Sequence, residues 1–209
     1  MSEHVILLHG LWMRGFTLTM LRHRLGRAGY VVESFDYASV TGSLDTGIER
    51  LSRRVREAKN GKIHFVGHSL GGLVALQAVQ RHPGLIDGRI VCLGTPLRGS
   101  AVARGISRLP GGSFVIGKSL SILREGIERW EGTQPAGSIA GSVPVGLGFA
   151  VGALTAPHDG TVSVAETELP GLTDHCVVPA THTGLLFSEQ AADQTVAFLR
   201  DARFSAIVV

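Results

Sequence analysis

Cysteine and charge are both scarce in this chain of 209 residues, and each scarcity closes off a class of protein. There are two cysteines, Cys92 and Cys176, each inside or beside an apolar strand-like run. That is too few for a disulfide-stapled scaffold, and the surroundings predict buried free thiols. No cluster of His, Cys or carboxylates has zinc-ligand spacing, so neither metal nor cofactor is expected. Charged residues make up 18% of the chain, and the formal net charge is only +3. Arg50, Arg53, Arg54 and Arg56 do gather, but Glu49 and Glu57 flank them and Ile48, Leu51 and Val55 run between them at helical spacing. This is the solvated face of an amphipathic helix and not a nucleic-acid surface. Long apolar runs are lacking too. The longest weakly polar stretch, Val143 to Ala156, is interrupted by Pro144 and by glycines and falls short of a membrane span. Met1-Ser2-Glu3-His4 leads straight into a strand-like run with no basic n-region or apolar h-region, so a cytoplasmic enzyme is expected.

What is present is a hydrophobic content of 44%, enough for one substantial core, and an alternation of strand and helix signals. Strands are predicted at Val5 to Leu8, Val31 to Phe35, Ile63 to Val66 and Arg89 to Leu93, then near Val143 to Leu147 and Cys176 to Val178. Helices are predicted over Arg14 to Ala28, Leu44 to Lys59 with Ser43 as N-cap, Leu70 to Arg81, and about Glu189 to Arg200. From Gly94 to Gly141 the periodicity degrades among glycines and serines, which predicts a small irregular cap inserted at about 98–141. The pattern reads as a single α/β domain over 1–209, with a mostly parallel sheet and helices on both faces. Ligands of such sheets gather at the carboxyl ends of the strands.

Gly67-His68-Ser69-Leu70-Gly71 is a G-x-S-x-G pattern. In a chain with 28 glycines the pattern alone is weak; its position between a strand and a helix gives it weight. A sharp turn there forces Ser69 into strained geometry, so Gly67 and Gly71 must lack side chains. The serine oxygen would stand clear of the sheet, with the Leu70 N–H beside it.

A serine hydroxyl needs a base to take its proton and a carboxylate to orient that base. In a strand-turn-helix site the chain order is Ser, Asp or Glu, His. Of the histidines after Ser69, His82 ends a helix, His175 opens a strand at the far edge, and His158 precedes the best acid. His182, just past the strand ending near Val178, is the predicted base. Asp159, in the turn-rich loop 156–162, is the predicted acid. Asp174 should lie at the opposite edge, and Glu166 remains a rival. The second oxyanion donor is expected from His9-Gly10-Leu11-Trp12, after the first strand, as the Leu11 N–H.

Together these segments resemble the α/β-hydrolases of the lipase and esterase group. The matching pieces are His9-Gly10, Gly67-His68-Ser69-Leu70-Gly71-Gly72, Gly94-Thr95-Pro96, Asp159-Gly160 and His182. The resemblance implies a compact member whose chain begins at what is usually the third strand. It also implies an acyl pocket near Gly94-Thr95-Pro96. Thr183 and Gly184 follow His182 where some secreted relatives carry a calcium-binding aspartate, so calcium and secretion are not carried over. The expected activity is hydrolysis of small-molecule esters of short to medium acyl chains through an acyl-enzyme on Ser69. An acyltransferase, a thioesterase or a true lipase on the same residues, or a non-catalytic module of the same fold, are the alternatives. Trp12, His68, Thr95, Phe114, Ile116 and Leu120 are candidate pocket residues. Phe114, Ile116, Leu120 and Trp130 fit the core of a small cap equally well. The insertion looks too short and irregular to form a continuous interfacial lid.

Overall fold

A computed structural model of the chain describes residues 2–58, 61–146 and 154–206. Among them, β1 (His4–Leu8), β2 (Val31–Phe35), β3 (Ile63–His68), β4 (Ile90–Leu93), β5 (Ala136–Gly141) and β6 (Asp174–Val178) form one six-stranded sheet. The order is β2-β1-β3-β4-β5-β6 and every pairing is parallel. Successive residues of a strand face opposite sides, and β1 shows the consequence. Val5 and Leu7 enter a core with Leu21 and Leu25 of α1 (Thr19–Arg27) and Phe198 of the C-terminal helix (Glu189–Asp201). Ile6 and Leu8 enter a second core with Ile48 and Leu51 of α2 (Leu44–Glu57) and Leu73 and Leu76 of α3 (Leu70–Arg81). Each leucine or phenylalanine so buried contributes about 2 kcal/mol before chain entropy is counted.

The α2 helix has the expected amphipathic character. Ser43 caps it by accepting from the Thr46 N–H, Ile48, Leu51 and Val55 are buried, and Arg54 pairs with Glu33 of β2 at 2.5 Å. Lys59, the expected helix end, lies outside the described residues. Cys92 and Cys176 are free, on β4 and β6, and burial pushes both thiols up to about 12.

Three expectations are corrected. The strand expected at Val143 to Leu147 is instead β5 at Ala136–Gly141, directly upstream. Residues 143–146 are irregular, and Leu147 lies outside the described residues. Ala-Gly-Ser-Ile-Ala-Gly has one β-branched residue and carries little strand signal. Its small residues serve tertiary packing, because a Cβ on Gly137 would collide with the Phe198 ring and one on Gly141 with Asp159 and Ala180. The insertion expected over 98–141 therefore stops short of β5. It holds α4 (Ala101–Ser107), α5 (Gly112–Ile116) and α6 (Leu120–Glu125). The first expected helix also opens differently, with a 3-10 turn at Gly15–Leu18 before α1.

Candidate active site

The chain leaves β1 for β2 on one side of the sheet and returns to β3 on the other. The sheet thus divides at the β1–β3 pair, where a crevice opens at the carboxyl edge. Ser69 follows the last residue of β3 and precedes α3, with φ 54° and ψ −122°. This is a left-handed backbone held in a non-glycine residue. The turn closes only because its neighbours have no side chains. A Cβ on Gly67 would strike the Gly71 and Gly72 backbone, and one on Gly71 would strike the Leu8 and His9 carbonyls. Gly72, in turn, leaves room for Thr95. Leu70 is the first residue of α3, so its N–H has no partner within the helix.

The loop after β1 is braced from behind. His9 is fully buried, stacks on Tyr37 at a centroid distance of 4.4 Å, and accepts from the Tyr37 N–H through Nε2. Its Nδ1 donates to the Gly10 carbonyl at 2.9 Å, and the Met13 N–H donates to that same carbonyl. In a trans peptide the C=O and the following N–H point in opposite directions, so fixing the Gly10 oxygen fixes the direction of the Leu11 N–H. Gly10 also brings this loop close to the serine, since a Cβ there would lie 3.1 Å from Ser69 Cβ.

Asp159 and His182 come from the loops after β5 and β6 and meet directly. The Asp159 carboxylate, 1% exposed, contacts His182 Nδ1 at 2.7 Å through Oδ2. Its Oδ1 accepts from the Thr161 and Val162 N–H groups at 2.9 and 2.7 Å. The His182 N–H donates to the Asp159 carbonyl, so the two loops are joined through backbone as well. Gly94 lies against this pair, where a Cβ would come within 3.1 Å of both Asp159 Oδ2 and His182 Nδ1. Among the described residues the Ser69 hydroxyl makes no hydrogen bond to His182 in this conformation, although both line one cavity. Such contacts commonly tighten only with substrate present.

The rival residues are engaged elsewhere. Glu166 accepts from the Ala101 N–H at 2.5 Å and the Ser163 N–H at 2.8 Å, and lies near Arg104. Asp174 accepts from His175 and Phe204 N–H groups at the opposite edge. His82 pairs with Glu49, His175 with Thr167, and His158 accepts from the Gly160 N–H.

The cavity beside Ser69 has a volume of about 250 Å³. Of the expected pocket residues, Trp12, His68 and Ile116 line it. Phe114 does not: it is 90% exposed, because α5 turns it outward while Ile116, two residues on, turns in. Thr95 is buried behind the elbow against Gly72, Leu120 packs on the core, and Trp130 is a core residue whose indole donates to the Gln134 carbonyl. The walls that were missed are chiefly Val102, Ala103 and Ile106 of α4. Their helical spacing, with Ser100 as N-cap accepting from the Ala103 N–H, was the available signal.

His68 Nε2 donates to the His182 carbonyl at 3.0 Å, tying the elbow to the loop after β6. Burial, aided by the nearby His182 ring, lowers His68 to about 3, and burial lowers His64 to about 4. Unfolded imidazoles take up a proton near pH 6.5, so between that pH and the folded values the unfolded chain binds more protons. Stability should therefore be full above about pH 6.5 and fall as the pH drops toward 4, by about 2 kcal/mol per histidine at pH 5. Melting temperatures measured from pH 7.5 to 4.5 check this. A flat profile would show that these rings are not held neutral.

The family model for the alpha/beta hydrolase family matches residues 5–206. The chain belongs to that family, and its fold is the one that the parallel sheet and its flanking helices define. Bacillus licheniformis lipase BlEst2 in mature form superposes with a TM-score of 0.77 at 17% identity, covering 96% of this chain and 92% of that one. The metagenomic carboxyl esterase MGS0156 gives 0.67 at 18% identity over 87% of this chain and 64% of its own. The pyrethroid hydrolase PytH gives 0.67 at 16% identity over 96% and 99%. No match is found among curated proteins.

Proposed function

We propose that this protein is a serine esterase acting on carboxylic esters with short to medium acyl chains. The observation that carries the proposal is the convergence of Ser69, at an elbow with φ 54°, and the Asp159–His182 pair on one cavity. Family membership and the esterase and lipase names among its structural neighbours support the reaction class. Ser69 attacks the ester carbonyl while His182 takes its proton through Nε2, the nitrogen not engaged by Asp159. Asp159 holds the imidazole tautomer and stabilises the imidazolium. The Leu11 and Leu70 N–H groups receive the negative charge on the carbonyl oxygen. His182 then protonates the departing alcohol, and water attacks the acyl-enzyme by the same route in reverse. The scheme draws its nucleophile, base and oxyanion donors from these residues, and the site is expected to work without metal.

Labelling with a fluorophosphonate, followed by a series of p-nitrophenyl esters from acetate to palmitate, tests the reading. A single site on Ser69 should be labelled. kcat/KM should rise about fourfold for each methylene that enters the cavity, at about 0.8 kcal/mol each, and fall once the acyl chain outgrows it. Absence of labelling would leave the fold without this chemistry, and a rate still rising at palmitate would overturn the chain-length limit.

A further inference from the structure

The surface around the cavity mouth differs from the rest of the molecule in two independent ways. Nine large hydrophobic side chains are exposed among the described residues, and seven of them fall within residues 10–20, 98–124 and 142–146. Those are the segments that supply Leu11, Trp12, Ile106, Ile116 and Val145 to the cavity wall. Trp12 is 50% exposed, and its indole N–H donates to the Val115 carbonyl at 2.8 Å. That bond satisfies the ring's polar edge and brings Phe114 and Val115 beside it. Phe114 at 90% and Phe16 at 77% exposure have no packing role that accounts for them.

The second feature is charge. Residues 10–20 and 98–124 contain Arg14, Arg98, Arg104, Arg108, Lys118 and Arg124 and no aspartate or glutamate, with exposed Asp36, bonded to the Gly15 N–H, and Glu125, next to Arg124, at their margins. The chain as a whole carries a formal +3, so these segments hold six positive charges and the remainder is net negative by three. Arg104 is partly offset by Glu166 from below, whereas Arg108 and Lys118 are exposed and have no ion-pair partner among the described residues. Arg108 directly precedes the exposed Leu109, and Lys118 follows the α5 turn that carries Phe114 and Val115. Aromatic and aliphatic side chains ringed by cations suit insertion at a headgroup boundary, where apolar burial and attraction to acidic lipid add. A patch of this kind on a charged rim is also unusual for a surface that faces only water.

We infer that the mouth of the cavity is a docking surface for an anionic lipid bilayer. Trp12, Phe16, Phe114 and Val115 would enter the headgroup boundary while Arg108 and Lys118 pair with lipid phosphates. The cavity would then open toward the bilayer, so that esters dissolved in it reach Ser69 without crossing water. The docking itself is independent of the ester-hydrolase reading, because binding is measured on protein that lacks the Ser69 hydroxyl.

Cosedimentation of S69A protein with vesicles of phosphatidylcholine alone, and of an equal mixture with phosphatidylglycerol, tests the inference. Binding to the anionic vesicles should be about 25-fold stronger or more, and should fall steeply as salt is raised. R108Q combined with K118Q should weaken it by about 25-fold, at about fivefold per cation removed. F114S should weaken binding at every salt concentration. In otherwise wild-type protein, these substitutions should leave hydrolysis of p-nitrophenyl acetate unchanged, since none of the three side chains lines the cavity. Equal binding to both vesicle types, or anionic binding insensitive to these variants, would overturn the proposal. A concentration-dependent dimer abolished by F114S would overturn it as well, by giving the patch to a second copy of the chain.

Discussion

Replacing Ser69 with alanine is expected to lower kcat for ester hydrolysis by about 10⁴ to 10⁶-fold and to abolish fluorophosphonate labelling. The melting temperature should barely move. Alanine keeps the Cβ that makes the positive φ of this position costly, so the strain of the turn is retained and not relieved. No hydrogen bond of the Ser69 hydroxyl among the described residues is lost with it. An unchanged melting temperature together with a lost rate separates loss of a nucleophile from loss of fold. Hydrolysis within tenfold of wild type in purified protein would remove Ser69 from the mechanism.

Asp159→Asn is expected to cost about 10⁴-fold in kcat while the protein stays folded. The hydrogen bonds around the carboxylate give the reason. Oδ1 accepts from two backbone N–H groups, those of Thr161 and Val162, so an asparagine will keep its oxygen there. Its amide nitrogen must then face His182 Nδ1 and donate to it. The imidazole proton moves to Nε2, and the ring can no longer accept the serine proton. Glu166→Gln makes the control. Glu166 touches Ala101, Ser163 and Arg104 and not His182, so its replacement should lower the melting temperature, at about 1–2 kcal/mol for a lost cap, and leave the rate nearly intact. The reverse pattern, a mild Asp159→Asn and a crippling Glu166→Gln, would assign the acid to Glu166.

Those two carboxylates mark where the sequence stopped being informative. Both follow β5 and precede β6, and chain order admits either one. Glu166 is drawn off by a capping box with Ser163 and by the N-terminus of α4, more than sixty residues earlier in the chain. The Ser163-x-x-Glu166 box is a local pattern, but nothing local announces the bond to α4. The strand β5 was missed for a related reason. Its residues are chosen to let Phe198 and Asp159 approach, and small side chains carry no period that a strand reading can detect. Phe114 shows the same limit at the cavity wall. Apolarity along the chain shows that a side chain is hydrophobic, but not whether a five-residue helix turns it inward or out.

The sequence by itself determined the features that depend on a few neighbouring residues. Strand and helix period, the Ser43 cap and the turn through Gly67, Ser69 and Gly71 belong here, because hard-sphere clashes and capping bonds act over a handful of positions. The tertiary structure alone decided which carboxylate meets His182, how His9 and Tyr37 brace the Gly10 carbonyl, and which apolar residues form the cavity and which crowd its mouth. Each of these joins segments remote in the chain. Such contacts form only once the parallel sheet has brought the loops at its carboxyl edge together.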